Sequence, residues 1–164
     1  MKLWVIGGLD PTGGAGVLRD RWTAEGLVPG VDVTTVITAY TQQGDGLPAR
    51  AHAVAEGELT VALQRIDEAD AIKIGLVPAA CVDAVLAAIE RARAPSVLDP
   101  VMRASDGGDL GATAQTLRPL ARAVGLVTPN RAEALALGEP LALAPTLYKN
   151  VDASPGLVCD RLLV

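Results

Sequence analysis

Short apolar runs alternate along this chain with longer segments of helical period. Leu3-Trp4-Val5-Ile6 is an unbroken apolar run, the pattern of a strand covered on both faces. A Gly-rich turn follows, and Gly13 to about Leu27 suits a helix. Val31 to Ala39 is rich in Val, Ile and Thr and predicts a second strand. Leu59, Ala62, Leu63 and Ile66 recur at helical spacing, and Ala71 to Leu76 predicts a short strand. Val82, Val85, Leu86 and Ile89 repeat the helical pattern before Ser96-Val97-Leu98, a strand that stops at Asp99-Pro100. Leu117, Leu120, Ala121 and Val124 mark another helix, followed by a strand over Gly125 to Val127 and a short helix over Arg131 to Leu137. Thr146 to Lys149 and Leu157 to Val164 read as strands separated by a turn at Asp152-Ala153-Ser154-Pro155-Gly156, and they are free to pair antiparallel at an edge.

Such alternation predicts an α/β fold: a mostly parallel, doubly wound sheet with helices on both faces. Parallel strands cannot be joined by tight turns, so each needs a crossover. Residues 1–164 read as one domain, half of them apolar, long enough to bury a sizeable core. Composition then excludes classes of partner. The net charge of −5 and the lack of a basic stripe argue against nucleic acid. With no Phe and few aromatics there is little to stack single-stranded bases. No apolar run approaches the roughly 20 residues that span a bilayer, so no membrane association is expected. The N-terminus lacks a signal-peptide pattern, and Cys81 and Cys159 lack metal-type spacing. The expectation is a reduced, cytoplasmic protein.

In open parallel sheets, ligands bind outside the carboxyl ends of the strands. The unusual residues fall there: the loop Gly7 to Gly16, the segment Thr41-Gln42-Gln43-Gly44-Asp45-Gly46, Lys73-Ile74-Gly75-Leu76, Asp99-Pro100-Val101-Met102, and Thr128-Pro129-Asn130 with Glu133 three residues on. The first loop holds five glycines in ten residues but matches neither common phosphate-loop pattern. Alone, it reads equally as a ligand loop and as a tight strand-to-helix turn capped by Thr12. Lys73 lies in an apolar strand, where an unpaired charge is costly, so a partner carboxylate is expected. His52 reads as a solvated loop histidine. Cys81 stands where a helix can open, a place where a thiol pKa can fall, but an inert packed thiol is the plainer reading.

Together these segments resemble the hydroxymethylpyrimidine and phosphomethylpyrimidine kinases of thiamine synthesis, within the ribokinase-like fold. Gly8-Leu9-Asp10-Pro11-Thr12-Gly13-Gly14-Ala15-Gly16 is similar to the family's G-S-D-P-[ST]-G-G-A-G, with Leu9 for Ser. Ile37-Thr38-Ala39-Tyr40-Thr41-Gln42-Gln43 resembles I-T-A-x-T-x-Q, and Lys73-Ile74-Gly75-Leu76 resembles K-I-G-M. Asp99-Pro100-Val101-Met102 resembles D-P-V-M, and Thr128 to Ala134 resembles T-P-N-x-x-E-A. From Leu135 onward the resemblance is thin.

The resemblance implies ATP-dependent phosphorylation of 4-amino-5-hydroxymethyl-2-methylpyrimidine and its monophosphate, with Mg²⁺. It implies that Gln43 bonds the aminopyrimidine edge, since an amide both donates and accepts. Gly8, Ala15, Leu76 and Val101 would supply walls, although Leu76 and Val101 read nearly as well as core. Asp10 would lie near the hydroxymethyl group or hold the loop as an Asx turn. Asn130 and Glu133 match the motif that organises Mg²⁺ and phosphate, Glu133 acting through water; simple capping of a short helix is the alternative. Asp99 would join the same rim, and all these polar residues are expected on one continuous cleft. The family's G-[TS]-G-C loop, with its proposed catalytic Cys, has no counterpart here, so no catalytic residue is assigned and Cys159 does not inherit that role. The expectation is therefore a fold with its C-terminal part reduced. Lys149 resembles the Lys of the family's K-G-G-H segment. A non-catalytic pyrimidine-binding pseudokinase or fragment, a pyridoxal kinase, and a homo-oligomer that completes the sheet remain open.

Overall fold

The computed structural model describes residues 1–44, 47–104, 107–138, 144–154 and 157–163. The strands are β1 (Lys2–Leu9), β2 (Asp32–Gly44), β3 (Leu47–Ala53), β4 (Ala71–Ile74), β5 (Ser96–Leu98), β6 (Leu126–Val127), β7 (Thr146–Ser154) and β8 (Leu157–Leu163). They form one sheet in the order β3-β2-β1-β4-β5-β6-β7-β8. The pairs from β2 through β7 are parallel. The edge pairs β2–β3 and β7–β8 are antiparallel.

The helices are α1 (Gly16–Leu27), α2 (Glu56–Ala62), α3 (Val82–Ala92), α4 (Ala114–Ala123) and α5 (Arg131–Leu137). Crossovers between parallel strands are right-handed. The chain moves one way from β1 to β2 and the opposite way from β4 to β7. Handedness therefore puts α1 on one face and α3, α4 and α5 on the other. Contacts agree: α1 packs on β1 and β2, whereas α2 meets α3, α3 meets α4, and α4 meets α5.

Period two along β1 sorts the core between these faces. Trp4 and Ile6 join Ile72, Ile74, Leu98 and Val127 beneath Val85, Ile89, Leu117 and Leu120, all buried in one cluster. Val5 points the other way and is buried with Val17 of α1. Lys73 is in register with Val5 and so faces α1. There Asp20 meets it, Nζ to Oδ2 at 2.5 Å, and this is the carboxylate the half-buried lysine called for.

The structure departs from the sequence expectation at the edges. β2 runs on to Gly44 and folds back as β3, with a bulge between Gln42 and Gly44. Segment Thr41 to Gln43 is thus strand rather than loop, and His52 is an exposed residue of edge strand β3 paired with Tyr40. Asp45 and Gly46 lie outside the described residues. Asp152 to Ser154 belong to β7 rather than to a turn, and Pro155 and Gly156 again lie outside the described residues. After β5, the chain doubles back through an Arg103–Asp109 bridge and rests Gly108 against Ala49 of β3. Among the described residues, no helix is long and apolar enough to cross a membrane.

Candidate functional site

A cavity of about 530 Å³ opens at the carboxyl ends of β1, β4 and β5. Its walls include Gly8, Asp10, Ala15, Leu76, Asp99 and Val101, so six of the nine residues singled out by sequence meet in one place. Gln43 lies in β2, and its side chain is outside what the structure describes.

The loop before α1 is organised by Asp10, which is only 3% exposed. Its carboxylate accepts the Thr12 N–H at 2.9 Å, the Thr12 hydroxyl at 2.9 Å and the Ala15 N–H at 3.1 Å. A carboxylate this buried needs such partners. Thr12 is consequently not the helix cap. Ala15 occupies that position without a side-chain bond, while the Thr12 hydroxyl donates to Asp10 and accepts the Gly14 N–H at 3.2 Å. Gly16 makes the turn possible: its φ is +66°, and a Cβ there would sit 2.2 Å from the Gly8 carbonyl oxygen. Leu76 closes the floor by packing on Gly8.

Asp99, at the end of β5, accepts a hydrogen bond from Lys149 Nζ at 2.7 Å. β7 delivers that lysine: the Lys149 N–H donates to the Pro129 carbonyl at 3.0 Å. Val101 donates its N–H to the Asp99 carbonyl at 2.8 Å and turns the chain along the cavity wall.

Asn130 and Glu133 are not part of this wall. They satisfy each other in a capping box at the first turn of α5. Asn130 Oδ1 accepts the Glu133 N–H at 3.0 Å, and Glu133 Oε2 accepts the Asn130 N–H at 2.8 Å. The continuous cleft expected from sequence therefore stops, among the described residues, at Asp99. Glu133 still feels the site. Burial pushes its carboxyl above the ordinary range; the Asn130 N–H and Lys149 oppose that shift, and Asp99 adds to it.

Such electrostatics fit a divalent cation. Lys149 pairs with Asp99 at 2.7 Å and acts on Glu133 only through space, while desolvation disfavours the Glu133 anion. Mg²⁺ commonly uses one or two carboxylates and keeps its remaining waters. No cluster of three or more metal-ligating side chains occurs among the described residues.

Several wall residues were not singled out by sequence: Arg19, Asp20, Arg103 and Leu110. Arg19 and Asp20 lie within the first two turns of α1, a position the helical period can locate. Leu110 and Arg103 arrive through the irregular segment after β5, which no period marks. Neither cysteine lines the cavity. Cys81 is buried, its thiol donates to the Thr38 carbonyl at 3.4 Å, and burial raises rather than lowers its pKa. Cys159 is exposed on β8.

A family model described as phosphomethylpyrimidine kinase matches residues 10–154. Over 96% of its length the chain aligns, at 36% identity, with a thiamine biosynthesis multifunctional protein of Corynebacterium glutamicum, of which it spans 20%. Among solved structures, a phosphomethylpyrimidine kinase from Clostridium difficile superposes with a TM-score of 0.82 at 24% identity, covering 99% of this chain and 80% of that one. A pyridoxal kinase from Staphylococcus aureus in complex with AMP-PCP gives 0.81 at 19% identity, over 99% of this chain and 68% of that one. Both likenesses are of fold: a mostly parallel ribokinase-like sheet with helices.

Proposed function

Because the chain belongs to the phosphomethylpyrimidine kinase family, we propose that its cavity binds 4-amino-5-hydroxymethyl-2-methylpyrimidine and its monophosphate, and that ATP phosphorylates them. One observation carries this reading. Residues from three separate family-like segments, Gly8 to Ala15, Leu76, and Asp99 to Val101, converge on the walls of a single cavity at the strand carboxyl ends. On this reading Gln43 bonds the pyrimidine edge, Gly8, Ala15, Leu76 and Val101 shape the walls, and Asp10 fixes the loop whose backbone faces the substrate. Asp99 and Lys149 form the polar rim. Asn130 and Glu133 sit one step beyond, and Glu133 would hold Mg²⁺ through water. When bound, the nucleotide and its cation supply the phosphoryl group and neutralise its charge. The protein's share is positioning and electrostatics, as phosphoryl transfer requires.

The rest of the reading is coarser. We take residues 1–164 as one domain of a cytoplasmic enzyme, a setting that suits two unpaired cysteines. The sheet's two outermost strands, β3 and β8, suit self-association.

Likeness to pyridoxal kinases favours a second reading, since both substrates are hydroxymethylated nitrogen heterocycles. A competition assay with ATP and Mg²⁺ separates the two. Phosphorylation of the pyrimidine in preference to pyridoxal is the expected result. Preference for pyridoxal would replace the first reading with the second.

A further inference from the structure

Six charged side chains line the cavity: Asp10, Arg19, Asp20, Lys73, Asp99 and Arg103. Four are already engaged. Asp20 pairs with Lys73, Asp99 pairs with Lys149, and the Asp10 carboxylate is taken up by its own loop. The two that remain are both guanidiniums. Among the described residues neither has a carboxylate within ion-pair distance. Arg103 makes only a long contact, Nη1 to the Gly107 carbonyl at 3.4 Å. Among the described residues, the charged side chains at the cavity that no ion pair or loop contact engages are therefore both cationic, and they come from two different elements, α1 and the segment after β5.

A neutral hydroxymethylpyrimidine gains little from two unpaired guanidiniums. Its phosphate ester, close to a dianion at neutral pH, gains a great deal. The planar fork of arginine matches phosphate oxygens in pairs, and such bonds are among the stronger ones available. We propose that Arg19 and Arg103 form an anion subsite that selects the phosphate monoester of the substrate over the unphosphorylated alcohol. The inference rests on the pyrimidine reading above and adds to it the residues that admit the substrate of the second phosphorylation.

Calorimetric titration tests it with two ligands, hydroxymethylpyrimidine and hydroxymethylpyrimidine phosphate. The proteins are wild type, Arg19→Gln, Arg103→Gln, the double variant and Arg19→Lys. Both arginines are exposed, so the variants should keep the wild-type circular dichroism spectrum. The readout is the ratio of the two dissociation constants. Each Gln substitution should shift that ratio against the phosphate ester by roughly tenfold or more, the scale of one lost charge-assisted hydrogen bond. Arg19→Lys should recover part of the shift, and salt should erode the wild-type preference. An unchanged ratio, or equal losses for both ligands, overturns the subsite while leaving the pyrimidine reading intact. Wild-type protein that binds neither ligand overturns both.

Discussion

Asp10 shows how one residue can serve a site without touching the reaction. Its two oxygens are committed to Thr12 and Ala15, so the carboxylate sets the loop that walls the cavity. Asp10→Asn keeps the shape but turns one acceptor into a donor facing another donor. Such a mismatch in a buried site costs about 1–3 kcal/mol, which urea unfolding would register, and pyrimidine affinity should fall with it. Unaltered stability would mean that these contacts are idle. Sequence named Asp10 but left open whether it met substrate or loop, since both readings place a carboxylate beside Pro11. Glu133 makes a second test at this scale. Its carboxyl is held above the ordinary range, so the folded chain binds that proton more tightly than the unfolded chain does. The stability this contributes is complete below the unfolded pKa and is lost as pH rises through the folded one. Glu133→Gln retains an acceptor for the Asn130 N–H and does not titrate. Its stability relative to wild type should therefore increase as pH rises from acid towards neutrality. A relative decrease over that range would contradict the account of Glu133.

At the scale of elements, the parallel strands and most helices were legible because burial on both faces writes unbroken apolar runs, and burial on one face writes a helical period. The hairpin strand β3 was not. Leu47-Pro48-Ala49-Arg50-Ala51-His52-Ala53 is mostly small or polar, with weak strand preference, and it becomes strand by pairing with β2. The segment after β5 was equally silent, because its place is set by Gly108 resting on Ala49, a contact far apart in sequence. The loop-to-helix joint before α1 carries a sharper forecast. Gly16→Ala imposes a strained φ and a clash with the Gly8 carbonyl oxygen. A residue forced into that region costs about 1–3 kcal/mol, before the clash is counted. Thermal unfolding should show a clear loss, and a neutral substitution would mean that the loop can be rebuilt without glycine.

For the whole molecule, sequence foretold alternation but not order. The sheet order follows from crossover handedness and from which strand each helix returns to, neither of which is local. This order brings the ends of β1, β4 and β5 side by side, although their site residues are separated by dozens of positions in the chain. It also leaves Asn130 and Glu133 one strand further out, which is why the expected cleft broke there. On the proposed function, this convergence makes a pyrimidine site. Titration of the purified 164-residue chain with hydroxymethylpyrimidine, using pyridoxal as the comparison and Asp10→Asn as the control, tests it most directly. Saturable binding of the pyrimidine, tighter than pyridoxal and weakened by Asp10→Asn, is the predicted result; folded protein that binds no pyrimidine, or binds it equally well without the Asp10 carboxylate, would contradict it.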